Sequence, residues 1–308
     1  MMLHVLLLTV GFVFLVKGAD WFVEGAAGIA KKLGIPQLVI GLTIVAMGTS
    51  MPEAAVSITS ALSGSAGISI GNVVGSNILN ILIILGITAV LTNVRIQKTT
   101  FRYEIPFMIG ITIILMAFGI TGNQITFLEG ILFWLLFLIF LGYLFVISKK
   151  GSVQDEEEIK ELPLWKGVLG IIIGGILVVK GSDFAVEGAT EIARYFGMSE
   201  RFIGLTIVAF GTSLPELVTS VTAARRGNAD IAIGNIVGSN IFNILFVIGT
   251  TALICNVPFD QKFVTDTIVA IFSGVLLWAG TIRYKELRKN CGIVMLLCYA
   301  GYFIYLCK

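Results

Sequence analysis

The hexapeptide Gly48-Thr49-Ser50-Met51-Pro52-Glu53 and its near copy Gly211-Thr212-Ser213-Leu214-Pro215-Glu216 each put a proline and a carboxylate inside an apolar segment long enough to cross a bilayer. An ionisable group at the bilayer centre costs about 2.5–3.5 kcal/mol on insertion scales, so two of them imply a compensating partner. Pro52 has no N–H for the carbonyl of Gly48, Met51 is pushed away from the α region by the proline that follows it, and Gly48 adds backbone freedom. The helix is therefore expected to open around residues 47–51, leaving carbonyls such as those of Ala46 and Thr49 without helical partners. The same reasoning applies to Ala209, Gly211, Thr212 and Leu214. Carbonyl oxygens beside a carboxylate make a site for a hard cation, Ca²⁺ or Na⁺, and a helix start favours the ionised forms of Glu53 and Glu216. Ser50 with Glu53, and Ser213 with Glu216, also have capping-box spacing, which would make each motif a tidied kink and nothing more.

The next apolar segment of each motif supplies further polar groups. Asn72, Ser76 and Asn80 recur every fourth residue and share one helix face. Gly71 and Gly75 beside them allow another backbone to come close. Asn235, Ser239, Asn243, Gly234 and Gly238 repeat the pattern. Such a stripe serves either as packing between helices or as a ligand set. Next to the glutamate motifs, Ser76, Asn80, Ser239 and Asn243 are read as ligands and Asn72 and Asn235 as structural. Lys17/Asp20 and Lys180/Asp183 are spaced i, i+3 and read as local charge neutralisation, with Glu24 and Glu187 nearing an interface.

These residues need membrane-spanning elements to hold them. Of 308 residues 56% are hydrophobic and 13% charged, well below the roughly 25% charge of soluble domains. Ten spans are expected, at about 2–32, 36–62, 66–91, 104–121, 126–148, 164–196, 200–224, 229–254, 263–282 and 290–307: an all-α polytopic membrane protein. The first and sixth, about 45 Å long, exceed a hydrocarbon core of about 30 Å and should tilt. The run Leu3–Val16 lacks a basic flank and a cleavage site, so it belongs to the mature fold. Two halves match at a constant offset of 163: between Gly41–Leu82 and Gly204–Leu245, 28 of 42 positions are identical without a gap. This divides the chain into a first five-helix repeat (1–150, with its most similar part at 36–91), a cytoplasmic linker (151–163) and a second repeat (164–308, with 200–254).

Five spans per half invert the second repeat relative to the first. With the N-terminus outside, fifteen Lys and Arg fall on the cytoplasmic side and four outside, as the positive-inside rule requires. Both termini then face out of the cell membrane. Inverted repeats with broken helices are the plan of secondary transporters, whose site lies at the midplane. The acidic run at 155–158 reads as a solvated linker or a weak calcium sensor. The basic residues are dispersed among loops, against a nucleic-acid partner; one histidine and four scattered cysteines argue against a transition-metal centre. No nucleophile–base set points to an enzyme. No cofactor or protein partner is implied; the expected partners are the lipid bilayer and transported ions. A passive channel of oxygen ligands and an anion carrier are the rival classes, the latter disfavoured by carboxylates at the positive helix ends.

The stretches GLTIVAMGTSMPE with GNVVGSNILN, and GLTIVAFGTSLPE with GNIVGSNIFN, resemble the two α-repeats of the sodium/calcium exchanger family within the cation/calcium antiporter superfamily, and the likeness runs through all ten segments. It implies that Glu53 and Glu216 bind Ca²⁺ directly with the carbonyls of Thr49 and Thr212. It implies that Ser50, Ser213, Ser76, Ser239, Ala46 and Ala209 help form Na⁺ sites, and that the first and sixth helices slide against the bundle. Potassium-dependent relatives carry aspartate where this chain has Asn243; Asn80 and Asn243 are both neutral, which favours the potassium-independent type. The proton/calcium branch, with its different motif, is less similar. Three Na⁺ per Ca²⁺ would fit the family and leave two carboxylates one charge short.

Overall fold

The computed structural model describes residues 2–150, 162–198 and 209–306. Long helices dominate, because with backbone groups shielded from water only internal hydrogen bonding satisfies them. They are α1 (Met2–Leu33), α2 (Gln37–Thr49), α3 (Met51–Leu62), α4 (Gly67–Leu91), α5 (Thr100–Gly122), α6 (Phe127–Lys149), α7 (Leu164–Tyr195), α8 (Ala209–Thr212), α9 (Leu214–Arg225), α10 (Ala229–Ile254), α11 (Gln261–Thr281) and α12 (Lys289–Leu306). Among the described residues eight helices are long and apolar enough to span, or nine with α2 and α3 counted as one bent span. Their ends lie within a few residues of the expected ones. The span expected at 200–224 is described only from Ala209 onward. The linker residues 151–161, with the acidic run, lie outside the described residues.

α4 and α10 form the centre, with 83% and 94% of their spanning windows buried, against 11–33% for the other continuous spans. Their apolar faces, including Ile70, Ile78, Leu82, Ile236, Ile241 and Leu245, share one core. α1 and α7 run antiparallel beside this core and touch backbone to backbone. Glycines recur every seven residues on both, at 11, 18 and 25 and at 167, 174, 181 and 188. A Cβ on Gly18 would lie 2.8 Å from the Gly174 carbonyl, and one on Gly181 would lie 2.7 Å from the Leu15 nitrogen. Only glycine permits that approach.

Two short antiparallel ribbons, absent from the expected all-helical plan, tie the loops. β1 (Val94–Arg95) pairs with β4 (Glu286–Leu287), and β2 (Gln124–Ile125) with β3 (Val257–Pro258). Each joins a loop of the first half to one of the second. Asn123 and Lys285, both left-handed (φ 51° and 53°), turn the chain before β2 and β4.

One expected ion pair is different. Lys180 and Asp183 do meet at 3.2 Å, but Asp20 is engaged by Arg226 at 2.8 Å, which also reaches Glu24 at 3.3 Å. A helical partner from α9's end displaces the local lysine, because α1 and α9 pack together at that height.

Candidate functional site

Pro52 and Pro215 sit in the first turns of α3 and α9, where a missing N–H costs least. The break falls at Ser50 (φ −85°, ψ 8°), and α2 and α3 are bent by 49° about it. Ser213 (φ −93°, ψ 5°) breaks the other motif in the same way. Glu53 and Glu216 therefore open new helices inside the bundle, each 1% exposed.

Neither serine caps its own helix, so the capping-box reading fails. Ser50 instead donates its hydroxyl to Glu216 Oε1, across the halves, at 2.8 Å. Glu53 lies beside the hydroxyls of Ser76 and Ser213 and the carboxylate of Glu216. The tertiary partner wins because a buried carboxylate needs a donor more than an N-terminal amide needs an acceptor.

The Ala46 carbonyl departs from expectation. It keeps a helical partner, the Ser50 N–H at 3.1 Å, because Pro52 withholds a donor only from the carbonyl four residues before it, that of Gly48. It also receives the Ser239 hydroxyl at 3.4 Å. Ala46, Thr49, Ser50, Ser213, Ser76, Ser239, Asn80 and Asn243 are all buried; Thr212 is half-buried, and Ala209 begins the described part of its helix. Asn80 and Asn243 each open a π-helical stretch, Asn80–Leu85 and Asn243–Ile248, a widened turn common at functional sites.

Asn72 and Asn235 act on the glutamates' backbones. The Asn72 amide donates to the Glu53 carbonyl (3.1 Å) and the Ser57 hydroxyl (3.0 Å). The Asn235 amide donates to the Glu216 carbonyl (3.5 Å) and the Ser220 hydroxyl (2.9 Å), and its Oδ1 accepts from Thr49 (3.0 Å). Asn77 and Asn240 were not among the expected residues, being off the 72/76/80 face. They bridge α4 and α10 and accept the amides of Asn243 and Asn80. The Gly-Ser-Asn triplet repeated at 75–77 and 238–240 was the available signal.

Both oxygens of Glu53, Oε2 of Glu216 and Oδ1 of both Asn80 and Asn243 are buried without a hydrogen bond of good geometry, the Ser76 and Ser213 hydroxyls beside Glu53 notwithstanding. Native interiors seldom leave such groups unpaired. Unpaired acceptors on two buried carboxylates close enough to repel each other suit a ligand that is all charge and no lone pair: a dehydrated cation. Among the described residues no three His, Cys, Asp or Glu side chains converge, so neutral oxygens must complete any coordination shell.

A many-span helical bundle with an oxygen-lined acidic cluster sealed at its centre is the build of a membrane transporter for small cations. A family model described as sodium/calcium exchanger protein matches residues 3–146 and 166–308, and the chain belongs to that family. It is thus a multi-span membrane protein of cation/calcium antiport and not a catalyst of covalent chemistry. It is 38% identical to the putative antiporter CaxA of Alkalimonas amylolytica, over 98% of each chain. It is 33% identical to the sodium/calcium exchanger MaX1 of Methanosarcina acetivorans, over 98% of this chain and 97% of that one. A solved structure of the sodium-calcium exchanger NCX_Mj, soaked without Na⁺ and Ca²⁺, superposes with TM-score 0.86 at 32% identity, covering 99% of both chains.

Proposed function

We propose that this chain exchanges Na⁺ for Ca²⁺ across the cell membrane by alternating access to one midplane site. The unpaired acceptors around Glu53 and Glu216 carry the reading. Ca²⁺ is held by those two carboxylates and the carbonyls of Thr49 and Thr212. Na⁺ takes overlapping positions made by Ser50, Ser213, Ser76, Ser239, Ala46 and Ala209, with the amide oxygens of Asn80 and Asn243 closing the shell. Competition for the same oxygens is what couples the two ions, since neither can bind while the other occupies the carboxylates.

The architecture in this reading is ten spans in two inverted five-helix repeats, 1–150 and 164–308, joined by a cytoplasmic linker, with both termini outside. The 163-residue repeat and the distribution of Lys and Arg support it. So do the ribbons: β1 with β4 joins two loops assigned to the cytoplasmic side, and β2 with β3 joins two assigned to the outside.

Purified protein in liposomes loaded with sodium should take up calcium, and without a sodium gradient should not. Glu53→Gln and Glu216→Gln should each abolish uptake. Uptake that follows a pH gradient and ignores sodium would make the protein a proton/calcium antiporter, and flux at channel rates would make it a pore.

A further inference from the structure

Asparagine can present either an oxygen or an NH₂ group to its surroundings, and the two ends have nearly the same shape. A cation site needs the oxygen. In this protein the choice is made by two residues that touch no ion in the reading above.

Asn77 donates its Nδ2 to the backbone carbonyl of Asn240 at 3.2 Å, and Asn240 donates its Nδ2 to the backbone carbonyl of Asn77 at 3.1 Å. A carbonyl only accepts, so both side chains must turn their NH₂ groups to the opposite helix and keep Oδ1 on the other side. Those two oxygens in turn accept Nδ2 of Asn80 (3.0 Å, from Asn240) and Nδ2 of Asn243 (3.1 Å, from Asn77). With Nδ2 of each anchored by that bond, Asn80 and Asn243 turn Oδ1 the other way, and both oxygens are buried without a hydrogen bond. Flipping either would set two carbonyl oxygens against each other on one side and put NH₂ in place of the unpaired oxygen on the other.

We infer that Asn77 and Asn240 are positioning residues that fix the amides of Asn80 and Asn243 with oxygen toward the cation, so that both amides are set as acceptors before any ion arrives. The pair is reciprocal, one from each half, and the order starts at main-chain carbonyls of α4 and α10, the two most enclosed helices. Preset oxygens spare the ion the cost of turning dipoles as it binds. This rests on the ion site proposed above.

The test is calcium affinity of the detergent-solubilised protein, by titration calorimetry, which needs no transport. Asn240→Leu removes the acceptor for Asn80 and frees its amide to flip; the dissociation constant should rise at least about tenfold, the size expected when a charged partner loses one good hydrogen-bonding or ligand contact. In an Asn80→Asp background both terminal atoms are oxygens and no flip exists, while one of them faces Asn240 Oδ1, acceptor against acceptor. There the same Asn240→Leu change should leave calcium affinity unchanged or raise it. Asn77→Leu, alone and with Asn243→Asp, reads the mirror half should the first variant fail to fold. An equal loss in both backgrounds, or no loss in the single variants, overturns the inference. A wild-type chain that binds calcium without exchanging it for sodium would count against the antiport and leave these ratios readable.

Discussion

Glu53 and Glu216 owe their setting to the residue three before each. Ser50 does not serve its own helix; it reaches the carboxylate of the other half at 2.8 Å. In the ion-free protein that hydroxyl is one of the few donors the acidic pair has, whereas with a cation bound the metal takes over the neutralising role. Ser50→Ala should therefore destabilise the ion-free protein by about 1.5–3 kcal/mol, the range for a hydrogen bond to a charged group. Saturating calcium should recover most of the loss. Thermal melting with and without calcium reads this as an enlarged calcium-induced rise in Tm; a loss of equal size in both conditions would mean that Ser50 matters only for packing.

The helix pair α1 and α7 has a different physics from the bundle beside it. Its interface is glycine on backbone, and a Cβ on Gly174 would lie 2.6 Å from the Phe22 nitrogen and 2.7 Å from the Gly18 carbonyl. Neither atom belongs to a side chain that can swing aside. Gly174→Ala should force the helices apart and cost about 1–3 kcal/mol, as overpacking does. Gly142, in α6, has nothing within 4 Å of an added Cβ, so Gly142→Ala should gain about 0.5–1 kcal/mol from lower chain entropy. Melting temperatures of the two variants in detergent should move in opposite directions. The pair's link to α9 is asymmetric. Arg226 holds Asp20 and Glu24 of α1, while at the offset of 163 the matching residue is Ser63. These groups are about a third exposed, so Arg226→Ala should cost less than about 1 kcal/mol.

Across the whole molecule, the inverted arrangement makes a claim about sides of the membrane. Arg95, in β1, and Ser63, between α3 and α4, are both exposed and lie at opposite ends of α4. Arg95→Cys and Ser63→Cys, each made in a background with Cys255, Cys291, Cys298 and Cys307 replaced, should label differently in intact cells. A membrane-impermeant thiol reagent should modify Ser63→Cys at once and Arg95→Cys only after permeabilisation. The reverse pattern would turn the protein over in the membrane, and labelling of both would deny that α4 spans it.

Hydropathy was enough to place the described helices to within a few residues, because a bilayer imposes on each a length and a composition that any window of the chain displays. Pro52 and Pro215 announced their breaks for a similarly local reason, the absence of one N–H. What could not be read along the chain was every contact between the halves. Ser50 looked like a cap because three-residue spacing is visible in a string and a carboxylate 166 positions away is not. Asn77 and Asn240 lie off the 72/76/80 stripe when faces are counted within one helix, and only the crossing of α4 and α10 brings both to a common line. The ribbons β1–β4 and β2–β3, two residues to a strand, carry no periodicity at all. Local covalent chemistry and solvation thus determined which segments form helices long and apolar enough to cross and where they open; which oxygens end up facing one another followed from how two related halves interlock.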